Sequence, residues 1–214
     1  LQIFPPMCMT VNTGGGTTFS VLAHAAAAIQ AGMANTILIS MADSLRSSMT
    51  REQAMLTQSS TGHPQYEQIY GPTVPAYYAL IATAHMAEFG TTVEDFAEVA
   101  VSGRLHAARN PTAQMREVIS VEDVVSSRLI ADPLHLLDCS LVSDGGSAIV
   151  VTTAERAKDF PCKPVYLLGS GEGHCHEHIS QAADLTTSAS LKSGQAAFKQ
   201  SRRAHKDIDF SQIY

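Results

Sequence analysis

Charge is scarce in this chain. Only 16% of its 214 residues are Asp, Glu, Lys or Arg, while 45% are apolar. So low a charged fraction argues against disorder and for a well-buried chain or a large subunit interface. The few charges lean acidic, with a formal net charge of -6. The clustered lysine and arginine that nucleic-acid binding requires is therefore missing. The short basic run Lys199, Arg202, Arg203 and Lys206 stands beside Asp207 and Asp209, and reads as a solvated helix face. There is no apolar run of the roughly 18 residues that a membrane span needs. The start shows no basic segment ahead of an apolar stretch, so no signal peptide is expected. Cysteine is limited to Cys8, Cys139, Cys162 and Cys175, none in C-x-x-C spacing. That pattern fits a reducing, cytoplasmic setting.

What is present reads as an α/β pattern. Cys8–Asn12 is a strand-like run, with Cys8 expected to pack within it. Gly14-Gly15-Gly16 breaks it, and Thr17 or Thr18 is placed to cap a helix running to about Ala31 and stopped by Gly32. The centre of that helix is nearly all alanine, so it is expected to be buried on most faces. Residues 36–41 follow as an apolar strand. Strand, glycine turn, helix and strand predict a βαβ unit with a parallel sheet.

Residues 43–71 are polar and read as a long loop with one helix near 51–56. A loop of that length within a compact domain is usually functional. Helices are predicted over 74–89, ended by Gly90, over 93–106 with Thr92 and Asp95 at its start, and over 121–126. Strands are predicted over 147–151 and 165–169. Thr152 or Thr153 caps a helix through Lys158, and a last helix lies near 188–203. Asp144-Gly145-Gly146 is read as structural, with Asp bonding backbone and glycine supplying a special backbone angle. Cys139 is read as a buried small side chain.

Two stretches resemble the thiolase superfamily, in its branch of sterol-carrier-protein thiolases and lipid-transfer proteins. One is Val11-Asn12-Thr13-Gly14-Gly15-Gly16-Thr17-Thr18 with the Ala-rich helix, Gly32 and the strand after it. The other is Asp138-Cys139-Ser140 through Ser143-Asp144-Gly145-Gly146-Ser147-Ala148. Between them, Tyr70-Gly71-Pro72, residues 106–111 and residues 127–130 resemble the branch's inserted loops. The resemblance implies a layered α-β-α thiolase-like fold, with a mixed sheet, a buried Ala-rich helix and an inserted helical loop region. It divides the chain into a first-half core over 1–42, the insert over 43–135, and a return to the core with the start of a second half over 136–214. It further implies a longer chain of two similar halves, with base and acid in the second.

The resemblance places the family's nucleophilic cysteine at Gly15, which has no side chain. The turn Gly14, Gly15 and Gly16 at a helix N-terminus still offers N–H donors to a thioester or enolate oxygen. Equally, it is a tight turn that brings the helix close to the sheet. Ser140 aligns with the serine that contacts the CoA arm, or is an ordinary turn serine. His63, Tyr66 and Tyr70 lie where the resemblance places the loops over the acyl chain, or merely pack that loop. The implied function is chemistry on acyl-CoA. Without the cysteine, retro-aldol carbon–carbon cleavage of a 3-hydroxyacyl-CoA is favoured over thiolysis. The alternative is a non-catalytic acyl-CoA-binding scaffold. Coenzyme A enters as part of the substrate and no cofactor is expected. A homodimer and an OB-fold partner protein are implied. His174-Cys175-His176-Glu177-His178 would put three histidines on one face of a strand. Its glycine-rich approach favours a loop instead, and no metal is expected.

Overall fold

The computed structural model describes residues 4–213. They form two compact units. One comprises the chain up to Asp43, Gly145–His174, and the chain from Ala189 on. The other comprises Ser44–Asp144 and Cys175–Ser188.

In the first unit, α1 spans Thr17–Gln30. Its end is set by Gly32 at φ 72°, a left-handed angle that glycine adopts without a Cβ clash. Met33 N–H reaches Ala28 O at 2.9 Å and Gly32 N–H reaches Ile29 O at 3.0 Å, closing a Schellman motif over the last carbonyls. Burial on most faces, expected from the alanines, is not what the described residues show. Ser20, Ala25 and Ala28 form the buried stripe, while Phe19 is 67% exposed. Alanine makes a helix narrow, but burial on every face needs neighbours on every face.

Strand β1 spans Thr36–Ser44 and pairs with a later strand, β4, at Asp144–Thr152. Thr36 Oγ1 lies 3.1 Å from Thr152 Oγ1. At the other end, a Cβ on Gly146 would stand 3.2 Å from Ala42 Cβ. The start of one strand thus meets the end of the other, and the pair is antiparallel. This corrects the parallel βαβ expectation: Cys8–Asn12 carries no strand ladder in the described structure, and Cys8 is exposed. Beyond a four-residue helix, α7 (Ala154–Ala157), the predicted strand over 165–169 is likewise unpaired, with Val165 98% exposed. An apolar run supplies strand propensity, but a strand requires a partner for its ladder.

Residues beyond Leu168 run along helix α8, Ser190–Ser201. A Cβ on Gly169 would stand 2.5 Å from Ala197 O. One on Gly171 would overlap Ser193 O, and one on Gly173 would overlap Ala189 O. Every second residue is glycine because every second residue of an extended segment faces the helix backbone. Ser170 N–H and Oγ bond Gln200 Oε1 at 2.6 and 3.2 Å and fix the register.

The second unit is mainly helical. The polar stretch read as a loop contains α2 (Leu45–Ser48), α3 (Arg51–Ser59) and a 3-10 turn at Gln68–Tyr70. Thr50 and Gln53 form a reciprocal capping box at the start of α3, a signal readable from Thr-x-x-Gln. Helices α4 (Val74–Phe89), α5 (Val93–Ala108) and α6 (Val121–Ser126) lie where the sequence places them. Gly90 at φ 70° stops α4, Thr92 and Asp95 cap α5, and Ser120 and Asp123 cap α6. A small hairpin pairs β2 (Leu129–Ala131) with β3 (Leu134–His135). The core is made of small side chains: Ala54, Ala79, Ala82 and Ala97, with Val124. Small residues let helix backbones approach closely, and leave little room for a substitution that adds volume.

Candidate functional site

Each unit carries one arrangement with chemical content. In the first it is the glycine turn. Gly14 sits at φ 73°, and its carbonyl accepts from Thr17 N at 3.1 Å and from Thr17 Oγ1 at 2.6 Å. Thr17 Oγ1 also accepts from Thr13 N at 2.8 Å. Thr17 therefore ties the turn together. It does not cap α1, whose N-cap is Gly16 without a side-chain bond. Thr18 Oγ1 contacts Met41 Sδ at 2.8 Å. With both hydroxyls engaged and Gly15 bare, this turn offers donors and no nucleophile. Gly14, Gly15 and Gly16 are exposed, at the end of the helix where the first-turn N–H groups and the helix dipole favour negative charge.

In the second unit, the centre is Glu67, a residue the sequence reading passed over. It is buried, 5% exposed. Its Oε2 accepts from His63 N and its Oε1 from Ser180 N, both at 2.7 Å. Burial pushes its carboxyl upward. The Ser180 and His63 N–H groups, the Ser180 hydroxyl and the nearby His178 outweigh this and hold it below the ordinary glutamate range. The loop before it is held by Gln68 Nε2, which donates to Ser60 O at 3.0 Å and Gly62 O at 2.6 Å.

Tyr77 on α4 brings its hydroxyl against Gly62 and Glu67, where a Cβ on Gly62 would overlap it. That hydroxyl is buried without a hydrogen-bond partner among the described residues. Burial, and then the Glu67 charge, push the Tyr77 phenol up. His178 completes the group. Its Nδ1 is buried and lies 3.9 Å from Glu67 Oε2. Its ring meets the His63 ring edge-on at 5.1 Å, and the His63 ring lies 4.8 Å from that of Tyr66. His63 Nδ1 accepts from Gln65 N at 3.2 Å. A cleft of about 280 Å³ opens beside this group, with Val74, Tyr78, Ile81 and Ile179 among its walls. A wider groove of about 540 Å³ runs beside α3, lined by Met55, Leu56 and Pro72 among others, with Glu52 its one titratable group.

The structure thus brings His63 and Tyr66 together with His178. Tyr70 is 80% exposed at the end of the 3-10 turn and lines neither cleft. Ser140 is exposed in the loop ahead of β4. Asp144 acts on backbone, its Oδ1 accepting from Arg46 N at 2.8 Å and Ser47 N at 3.0 Å. Gly145 and Gly146 do not adopt the special angle expected of them; they are not among the positive-φ glycines. Gly146 instead allows close contact with Ala42 and the Met41 carbonyl. Cys139 is half-buried, and burial followed by the Asp138 charge pushes its thiol up. The histidines of residues 174–178 do not share a strand face: His174 and His176 are exposed while His178 turns inward. Among the described residues no group of three His, Cys, Asp or Glu side chains is arranged to hold a metal, and no helix is long and apolar enough to cross a membrane.

Residues 171–214 match the family model for a thiolase C-terminal domain-like region. A 17-hydroxy-3-oxo-4-pregnene-20-carboxyl-CoA lyase of Mycobacterium tuberculosis is 39% identical over 170 residues, covering 76% of this chain and 44% of the relative. An acetyl-CoA acetyltransferase of Methanothermobacter thermautotrophicus is 36% identical over 151 residues, covering 70% of this chain and 39% of the relative. The chain therefore spans less than half the length of these curated relatives. Among solved structures, an Ltp2-ChsH2(DUF35) aldolase superposes with a TM-score of 0.81 at 34% identity, over 92% of this chain and 52% of that one. A monomeric SCP2-thiolase-like protein of Mycobacterium smegmatis superposes with a TM-score of 0.72 at 23% identity, over 94% of this chain and 43% of that one, and shows the shared fold. A glycine turn heading an Ala-rich helix, an apolar strand behind it and a helical insert are thus accounted for together: the chain belongs to the thiolase superfamily, in the branch of sterol-carrier-protein thiolases and lipid-transfer proteins.

Proposed function

We propose that the protein acts on acyl-CoA thioesters and cleaves a carbon–carbon bond of a 3-hydroxyacyl-CoA by retro-aldol chemistry. The observation that carries this reading is Gly15. It stands in the turn at the start of α1, where the family resemblance puts the acyl-accepting cysteine, and both neighbouring hydroxyls are already engaged. Thiolysis and Claisen condensation need an acyl-enzyme, and a bare glycine forms none. Retro-aldol cleavage does not need one. A base takes the proton of the C3 hydroxyl, the C2–C3 bond breaks, and C3 leaves as a carbonyl. The bonding pair passes to C2 and the thioester oxygen as an enolate, and C2 then takes up a proton. The charge that develops on that oxygen is what N–H donors at a helix N-terminus stabilise. Relatives named as a lyase and an aldolase support the same direction.

Coenzyme A enters with the substrate, and Ser140 is assigned to its pantetheine arm. His63, Tyr66 and Tyr70 are assigned to the acyl side. An OB-fold protein is the proposed partner, and the working protein is taken as a cytoplasmic homodimer. Four free cysteines and a low charged fraction support that setting and that assembly.

The test is an assay of the protein with its OB-fold partner, offering a 3-oxoacyl-CoA plus free CoA, and separately a branched 3-hydroxyacyl-CoA, with products read by mass. Cleavage of the hydroxy substrate alone is expected. Thiolysis of the oxo substrate would overturn the reading. Binding of both esters without turnover would replace it with a non-catalytic acyl-CoA scaffold.

A further inference from the structure

The cleft in the second unit has a chemical bias of its own. No lysine or arginine lines it, whereas Glu67 and Glu177 do. The rest of its lining sets Val74, Ile81, Ile179 and the rings of Tyr77 and Tyr78 beside Thr61, His176 and His178. Phosphates and carboxylates would meet negative charge there, with no permanent cation and only the imidazoles of His176 and His178 to offset it. A neutral, mostly hydrocarbon ligand fits, in a volume near the lower end for ligand pockets.

The polar contact offered to that ligand follows from Glu67. An ionised carboxylate only accepts hydrogen bonds and has about four lone-pair sites. Three are engaged, by the His63 and Ser180 N–H groups and by the Ser180 hydroxyl. Two buried polar atoms beside it have no hydrogen-bond partner among the described residues, the Tyr77 hydroxyl and His178 Nδ1. Toward an acceptor-only neighbour either atom is satisfied only by donating, and the site left on Glu67 has room for one such donor. His178 Nδ1 stands 3.9 Å from Glu67 Oε2, beyond hydrogen-bond reach, and at that separation a proton on this nitrogen faces the carboxylate more favourably than a lone pair would. Contacts of this kind are commonly long without ligand and tighten when it binds. A neutral imidazole protonated at Nδ1 has its lone pair on Nε2. The buried edge of the ring is the Nδ1 edge, so Nε2 is left for the cleft that His178 lines.

The geometry points to an alcohol-binding site in this cleft: His178 Nε2, held as an acceptor by Glu67, takes a hydrogen bond from the hydroxyl of a neutral, hydrocarbon-like ligand. Glu67 is a positioning residue, setting which nitrogen of His178 is free. Tyr77 lines the same cleft, with its hydroxyl close to the same carboxylate.

The test needs no turnover, so it stands or falls separately from the retro-aldol reading. Long-range proton–nitrogen NMR on histidine-labelled protein near neutral pH reports the His178 tautomer directly. Nδ1–H with a bare Nε2 is expected, and an Nε2–H tautomer would falsify the assignment. Titration with cyclohexanol, cyclohexanone and cyclohexanecarboxylate then probes the cleft through the same His178 signals. Cyclohexanol should bind about fivefold more tightly than the ketone, the worth of one net hydrogen bond, and the carboxylate should bind weakest. His178→Phe keeps the ring and should erase the preference for alcohol over ketone. Equal binding of alcohol and ketone, no response of His178 to the alcohol, or an unchanged preference in His178→Phe would each overturn the proposal. Should that variant fail to fold, the tautomer and the three-ligand series on the unaltered protein still decide it.

Discussion

The two units solve the problem of placing polar groups in opposite ways. In the first, backbone does the placing. Gly14–Gly16 turns the chain into α1 with Gly14 at a left-handed angle, and Gly169, Gly171 and Gly173 bring an extended segment onto α8 with no side chain between. In the second, side chains do it. Glu67 gathers His63, Ser180, Tyr77 and His178 around one buried carboxylate. A backbone-built arrangement fails when a side chain is added. A side-chain-built one fails when a side chain is taken away.

That contrast makes a graded set of expectations. The largest effect belongs to Gly171→Val in the first unit. Its Cβ would overlap the Ser193 carbonyl, which is helix backbone and has no rotamer to yield. A loss of about 3 kcal/mol or more is expected from overpacking of this kind, read as a lower denaturant midpoint. A variant as stable as the parent protein would show that the glycines are not there for close approach.

Next is Glu67→Ala in the second unit, which strands the part-buried N–H groups of His63 and Ser180. About 2 kcal/mol is expected, with Glu67→Gln intermediate because the amide oxygen still accepts one bond. Acidity sharpens the same point. The folded carboxyl titrates below its unfolded value. Its contribution is therefore present above the unfolded range, near 4.5, and is lost as pH falls through the lower folded value. Thermal melts taken downward from neutral pH should lose stability there in the parent protein and show a flatter acid limb in Glu67→Gln.

Gly62→Ala comes third, because the clashing partner is the end of a side chain. The Tyr77 hydroxyl has some freedom to move, so about 1–2 kcal/mol is expected. The double variant with Tyr77→Phe should recover part of it, and a strictly additive pair would mean the two do not touch. The smallest effect is Thr92→Ala at the start of α5, where loss of the bond to Asp95 N should cost about 1 kcal/mol. Thr92 belongs to neither arrangement, so substrate and alcohol binding should be unchanged.

The local signals in the sequence are the ones that became structure. Gly32 and Gly90 end helices because their left-handed angles suit no other residue as well, and each is visible as a glycine after a helical run. The Thr92 and Ser120 boxes are equally local. The strands fared worse. Residues 165–169 have strand composition but no ladder, and β1 found its neighbour in β4, more than 100 residues later by the Thr36–Thr152 contact. Pairing is a property of two segments, and one segment's composition does not reveal it. The site divides the same way. The glycine turn is contiguous and was readable. Glu67 looked like one more polar residue in a polar loop, because what marks it is burial, and burial comes from Ser180, 113 residues away. In sequence His178 is one of three histidines in a glycine-approached loop with no metal expected, and its neighbour Glu67 lies far outside that segment.

That distance has a consequence for how the molecule is made. The second unit is interrupted: Ser44–Asp144 is followed by a stretch of the first unit before Cys175–Ser188 returns to it. On the ribosome, Glu67 emerges well before the residues that complete its surroundings. Until Ser180 and His178 arrive, the carboxylate has no reason to leave water, because burying it unpaired is costly. The early helices can form on their own capping and packing, but the cleft closes only when the late segment docks. Closing so long a loop is slow relative to local folding. The nascent insert is thus a folded framework with an open, hydrated centre, and the cleft is among its last parts to form.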